Sequence, residues 1–110
     1  MTRPTHHLDI QGATDDTGRP VLVLEGDVDL QTADRLRDAV DDAAADAATV
    51  IIDLRAVRFM DSPGLGTLIF CHQRLAADGV ALIVRGPQGH VRELFELVQL
   101  DTLVSIEPAP

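Results

Sequence analysis

Lysine is absent from this chain, tryptophan and tyrosine are absent too, and Cys71 is its only cysteine. Without lysine there is no Schiff-base chemistry and no P-loop lysine for a nucleotide phosphate. The lysine that a phospho-acceptor receiver domain uses is missing for the same reason. A single cysteine rules out an internal disulfide, which suits a reducing compartment. His6, His7, His72 and His90 show no metal-ligand spacing and Cys71 has no paired thiol, so no zinc or other metal site is expected. No apolar run approaches the roughly 18 residues that a membrane helix needs, and the N-terminus carries no apolar signal-peptide stretch. The chain therefore reads as cytoplasmic, with no membrane insertion.

Positive charge is scarce as well. Nine basic residues, all arginine, face 18 acidic ones, for a net charge of −9 at pH 7. Such a surface repels phosphate backbones and anionic lipid, so direct nucleic-acid binding is not expected. Hydrophobic residues make up 45% of the 110, but only Phe59, Phe70 and Phe95 are aromatic. The core must then be built from valine, leucine, isoleucine and alanine. A chain of this length can bury such a core as one domain without staples, spanning residues 1–110 with its structured part at about 8–106.

The apolar pattern alternates between two periods. Leu8 to Ala13 reads as an edge strand, and Asp15-Asp16-Thr17-Gly18 as a hairpin turn leading into a strong strand from Arg19 to Glu25. Residues 30–46 place Ala33, Leu36, Val40 and Ala43 at helical spacing. Val50 to Leu54 is a continuous apolar strand of the kind buried on both faces. A second helix is predicted from about Pro63 to Ala77, with Gly79 suited to the turn that ends it. Val80–Val84 reads as a strand, Val91, Leu94, Phe95 and Val98 as a third helical stripe, and Leu103–Ile106 as a short closing strand. Strands alternating with helices predict an α/β fold with a mixed, largely parallel sheet of four to five strands and three to four helices.

The most informative segment joins the third strand to the second helix: Phe59-Met60-Asp61-Ser62-Pro63-Gly64-Leu65-Gly66. Ser62 is expected to cap that helix, with Pro63 at the first helical position, where its missing N–H costs nothing. Loss of such a cap costs roughly 0.5–2 kcal/mol. Asp27, Asp29 and Asp61 all fall where strands end and helices begin. Three carboxylates there can suggest a Mg²⁺ site, but capping of the first helix by Asp29 and favourable placement against the helix dipoles explain them better. Phe59 is expected in the core, with Met60 and Phe70 as candidates for an exposed patch near Ser62. His72 shares an inner stripe with Leu65, Leu68, Ile69 and Leu75, and is expected to be half-buried and hydrogen-bonded. Gly64-Leu65-Gly66 lacks the third glycine of a dinucleotide loop, and Asp-Ser-Pro-Gly is not a nucleophile elbow. No enzymatic activity and no cofactor are expected.

The pattern strand–x–F-M-D-S-x-G-L-G–helix resembles the signature of STAS domains, above all of the bacterial anti-sigma factor antagonists. The resemblance reaches upstream to Val21–Asp29 and downstream through Val80–Val84 to Val91–Phe95. It implies a sheet with helices packed mainly on one side, and no enzyme. It implies phosphorylation at Ser62, with Asp27, Asp29, Met60, Asp61, Ser62, Pro63, Gly64 and Leu65 forming or adjoining the partner surface. The implied partners are an anti-sigma factor serine kinase, bound in the unphosphorylated state so that a sigma factor is released, and a PPM-type serine phosphatase that resets the switch. Pro63 departs from the pattern, since these antagonists often carry Ser or Thr after the phosphoacceptor; kinase recognition is what this puts in question. Two other readings follow from the same resemblance: the STAS subunit of a lipid-transport ABC complex, and a STAS scaffold or sensor that binds a small ligand or nucleotide.

Overall fold

A computed structural model describes residues 7–109. Five strands form one sheet in the order β1 (Leu8–Thr14), β2 (Pro20–Val28), β3 (Thr49–Met60), β4 (Ala81–Arg85) and β5 (Ser105–Glu107). Helices α1 (Ala33–Ala44), α2 (Ser62–Ala77) and α3 (Gly89–Leu97) fill the crossovers, and a single 3₁₀ turn, Leu100–Thr102, precedes β5. β1 runs antiparallel to β2 through the tight turn at residues 15–19, and every other pair is parallel. The three crossovers all step in the same direction across the sheet. Right-handed crossovers that never reverse direction must lay their helices on one face.

That face holds the core. Leu22, Leu24 and Val28 of β2, Val50, Ile52 and Leu54 of β3, and Leu82 and Val84 of β4 alternate inward along their strands. Leu36 and Val40 of α1, Leu65, Leu68 and Leu75 of α2, and Val91 and Phe95 of α3 cover them. The opposite face is closed by ion pairs instead. Asp53 is buried on it and takes both Arg55 Nε (3.1 and 3.2 Å) and an Arg55 terminal nitrogen (2.9 Å).

Near the β1–β2 turn the same face carries Asp15, Arg19, Arg85 and Glu107. Arg19 Nε donates to Asp15 at 2.7 Å, and Arg85 lies 3.7 Å from Asp15 and 3.5 Å from Glu107. Burial of the Asp15 carboxyl disfavours its ionised form. Hydrogen bonds from the Arg19 amide and side chain and from the Thr17 hydroxyl and amide outweigh that and hold its pKa well below the usual carboxylate range. A carboxylate more acidic folded than unfolded contributes stability above its unfolded pKa of about 4, and loses it as pH falls through lower values. Removing this group should therefore flatten the acid limb: Asp15→Asn is expected to lose less stability between pH 5 and pH 2 than the parent, as read by denaturant midpoints at each pH.

Two features of the sequence-based assignment change. β3 does not stop near Leu54 but stays paired with β2 as far as Met60, its register slipping twice on the way, between Val23 and Glu25 and again between Gly26 and Asp27. Each slip inserts one extra β3 residue, which is how a bulge bends a strand and reverses which side chains face inward. β2 also runs past Gly26 to Val28. Gly26 makes this possible: its φ is +119°, and a Cβ there would lie 2.2 Å from the His7 carbonyl oxygen.

Candidate functional site at the β3–α2 junction

The ends of β2 and β3, the loop before α1 and the start of α2 meet at one edge of the sheet. Asp61 joins them. Its backbone N–H donates to the Val28 carbonyl (3.3 Å), one carboxylate oxygen accepts the Gly64 N–H (2.7 Å), and the other accepts the Leu30 N–H (3.4 Å). The helix therefore begins one residue earlier than expected, and its cap is Asp61 rather than Ser62. Asp61 is extended (φ −97°, ψ 179°), whereas Ser62 is the first helical residue and Pro63 the second. A carboxylate caps as well as a hydroxyl, and Asp61 is the residue whose backbone has not yet turned.

Ser62 is thus a solvent-exposed hydroxyl with no structural duty at the cap, beside an exposed Pro63. Little backbone is left over to receive a further anion in this first turn. Pro63 has no N–H, the Gly64 N–H is held by the Asp61 side chain, and the Leu65 N–H by the Asp61 carbonyl (2.9 Å). Asp61→Ala should cost about 1–2 kcal/mol, a lost cap plus the tie to Leu30, whereas Asp61→Asn should cost less because Asn is also a good cap. Thermal melts of the two variants side by side check this.

The remaining residues expected around Ser62 are placed mostly beneath it. Met60 is 1% exposed and belongs to the core, while Phe59 is 41% exposed. The expectation had these two reversed: the two β3 bulges carry the inward positions from Leu54 to Val57 to Met60 and leave Phe59 outside. Asp27 and Asp29 are buried, Gly64 and Leu65 also, so these four, like Met60, shape the surface from below. Asp29 does not cap α1. Its carboxylate accepts the Gln31 and Thr32 N–H groups (2.9 and 3.1 Å) and builds the turn before the helix, whose own cap position, Thr32, makes no side-chain capping bond. The Thr32 hydroxyl instead donates to the Asp27 carbonyl at 3.0 Å and accepts the Asp29 N–H, tying the end of β2 to α1.

Three further residues adjoin the β3–α2 junction: Leu30, Phe59, which was expected in the core, and His90. Leu30, 67% exposed, follows β2, and its amide is the one bound by Asp61. Phe59 stacks on His90 of α3 with ring centroids 5.6 Å apart and planes 11° from parallel. His90 Nε2 in turn lies 3.1 Å from the Met60 carbonyl oxygen. Their sequence signal was weak, because an exposed leucine and a lone histidine look the same anywhere on a surface. Phe70 is exposed with Arg37 over its ring at 5.8 Å, on the α1-facing side of α2 and away from the helix start. His72 is half-buried as expected, but its Nδ1 has no hydrogen-bond partner. Burial, then the nearby Asp41, pushes the Cys71 thiol up to about 11, so it is not a thiolate nucleophile. Among the described residues no group of three or more His, Cys, Asp or Glu is arranged to hold a metal, and no helix is long and apolar enough to cross a membrane.

A family model described as "Mlab, STAS domain" matches residues 11–105. The chain belongs to the STAS family. Among curated relatives it is 28% identical, over 93 residues, to an anti-sigma-B factor antagonist of Listeria monocytogenes, covering 84% of this chain and 82% of that one. Among solved structures it matches an anti-sigma factor antagonist from Mycobacterium paratuberculosis at 30% identity, with a TM-score of 0.77 and coverage of 94% and 87%. The unphosphorylated form of the anti-sigma factor antagonist SpoIIAA shares the fold at a TM-score of 0.69, with 21% identity and coverage of 93% and 90%. The STAS fold, with its helices on one side of a mostly parallel sheet, is therefore the architecture expected from the sequence.

Proposed function

We propose that this STAS protein is a cytoplasmic anti-sigma factor antagonist, itself without catalytic activity, whose switch is phosphorylation of Ser62. The observation that carries the reading is Ser62 itself: an exposed hydroxyl at a helix start, relieved of the capping role by Asp61. The names of its relatives supply the biological setting. The unphosphorylated protein binds an anti-sigma factor serine kinase and frees the sigma factor. The kinase then transfers phosphate from ATP to Ser62, the complex parts, and a PPM-type serine phosphatase restores the hydroxyl.

The physics of the switch is local. A phosphoserine adds roughly −1.5 to −2 charge at pH 7. Beside Asp61, on a protein whose net charge is already −9, that charge meets a docking partner's own bound nucleotide phosphates. The first turn of α2 offers it almost no free donor. Juxtaposed like charges in an interface cost several kcal/mol, enough to dissociate a moderate complex. Capture of partners from native lysate with the purified chain, followed by phosphopeptide mapping of the bait, tests the reading: a kinase should be recovered and Ser62 modified.

Pro63 favours one second reading, the STAS subunit of a lipid-transport ABC complex. It removes a backbone donor and any second hydroxyl at the position after the serine, and such a subunit needs no phosphoacceptor. Recovery of an ABC ATPase with an unmodified Ser62 would decide for it.

A further inference from the structure

The last part of β3 is held very unevenly. Pairing with β4 ends at Asp53–Arg85, where β4 gives way to the loop before α3. From Leu54 to Met60 the strand keeps β2 as its neighbour on one side, through Glu25, Gly26, Asp27 and Val28, and has no strand on the other. Two bulges in this stretch remove regular ladder bonds even on the β2 side. Yet it is this segment that sets where α2 begins and hence where Ser62 stands. On the open side, the described residues supply one hydrogen bond to its end, from His90 Nε2 to the Met60 carbonyl oxygen at 3.1 Å. A carbonyl only accepts, so Nε2 carries the hydrogen. The same imidazole lies flat against Phe59, 5.6 Å between centroids. His90 sits in the first turn of α3, whose Val91 and Phe95 are anchored in the core, so the clamp is mounted on a fixed element.

The geometry points to His90 as a positioning residue for Ser62. It acts in place of a missing β4 strand partner: it bonds one backbone carbonyl of β3 and stacks on the preceding side chain. The β3–α2 junction is thereby pinned between Val28 of β2, which receives the Asp61 N–H, and α3. The hydroxyl two residues beyond Met60 is then presented in one place to a docking kinase, as the nucleophile toward its bound ATP. This inference deepens the reading of Ser62 as a phosphoacceptor and rests on it only for what the clamp is used for.

The test is hydrogen exchange of the three bonded amides at the junction, Asp61, Gly64 and Leu65, in the parent, His90→Ala, His90→Phe and His90→Gln. His90→Ala should speed their exchange by roughly three- to tenfold while leaving Ile52 and Val84 in the central strands unchanged. His90→Phe keeps a stacking ring without a donor and should restore little, and His90→Gln, with a donor but no ring, should restore part. In the second arm, phosphorylation by the captured kinase should show kcat reduced several-fold in His90→Ala with KM nearly unchanged. Unchanged exchange at the three amides in His90→Ala, or an equal increase at Ile52 and Val84, would overturn the inference. A parent protein that the kinase leaves unmodified at Ser62 would sink the phosphoacceptor reading instead, and the exchange arm would still decide the clamp.

Discussion

Gly64→Ala is expected to lose about 3 kcal/mol or more of stability, lowering the melting temperature by at least roughly 10 °C, while Gly66→Ala two residues on is neutral or slightly stabilising. A Cβ on Gly64 would lie 2.1 Å from the Val28 carbonyl oxygen and 2.7 Å from its carbon. Those are backbone atoms, and the same carbonyl accepts the Asp61 N–H, so it cannot move aside without releasing the end of β3. The clash must be relieved by lifting the start of α2 off β2, which also strains the Gly64 N–H bond to Asp61. A Cβ on Gly66 would meet nothing within 4 Å, and there alanine gains up to about 1 kcal/mol over glycine inside a helix. Thermal melts of the two variants check the pair. Equal, small effects in both would mean that α2 does not approach β2 so closely.

The second large effect is on partner affinity. Ser62→Asp should weaken binding to the kinase by about a hundredfold or more, while its circular dichroism spectrum and melting temperature stay close to the parent's. Charge at the first helical residue gains roughly 0.3–1 kcal/mol from the helix dipole and loses a comparable amount to Asp61, both screened by solvent. Neither approaches the roughly 5–15 kcal/mol that keeps a domain folded. Ser62→Ala should bind persistently, accept no phosphate and melt like the parent, because the helix cap is Asp61 and not the serine. The parent should accept one phosphate, and the only other serine, Ser105, should stay unmodified. A phosphomimetic that unfolds would show a switch working through the fold. Modification confined to Ser105 or to a threonine would remove Ser62 from the mechanism.

Much of the fold was legible in the chain because it rests on local periodicity. The strands at Leu8, Val21, Val50 and Ala81 and all three helices stand within a few residues of where the apolar spacing puts them. The antiparallel start followed by parallel crossovers follows from the short turn at residues 15–18 and the longer helical connections after it. The placement of Ser62 at an exposed helix start could also be read from the run Asp61-Ser62-Pro63-Gly64, as could the STAS resemblance.

What only the tertiary structure decided lies at the boundaries between elements, where a residue's role depends on neighbours far along the chain. Asp61 rather than Ser62 became the cap because its backbone is held extended by Val28 and its second carboxylate oxygen by Leu30, some thirty residues earlier. Met60 went inside and Phe59 outside because the two bulges in β3 step the inward positions from Leu54 to Val57 to Met60, three residues at a time instead of two. Gly64 proved to be a close backbone approach to β2, and His90 a support for the end of β3, contacts that no spacing in the sequence encodes. Sequence by itself determined the elements, the sheet they build and the family signature, since each depends on a repeating pattern of burial along the chain. The presentation of Ser62 was set by single long-range contacts that have no period.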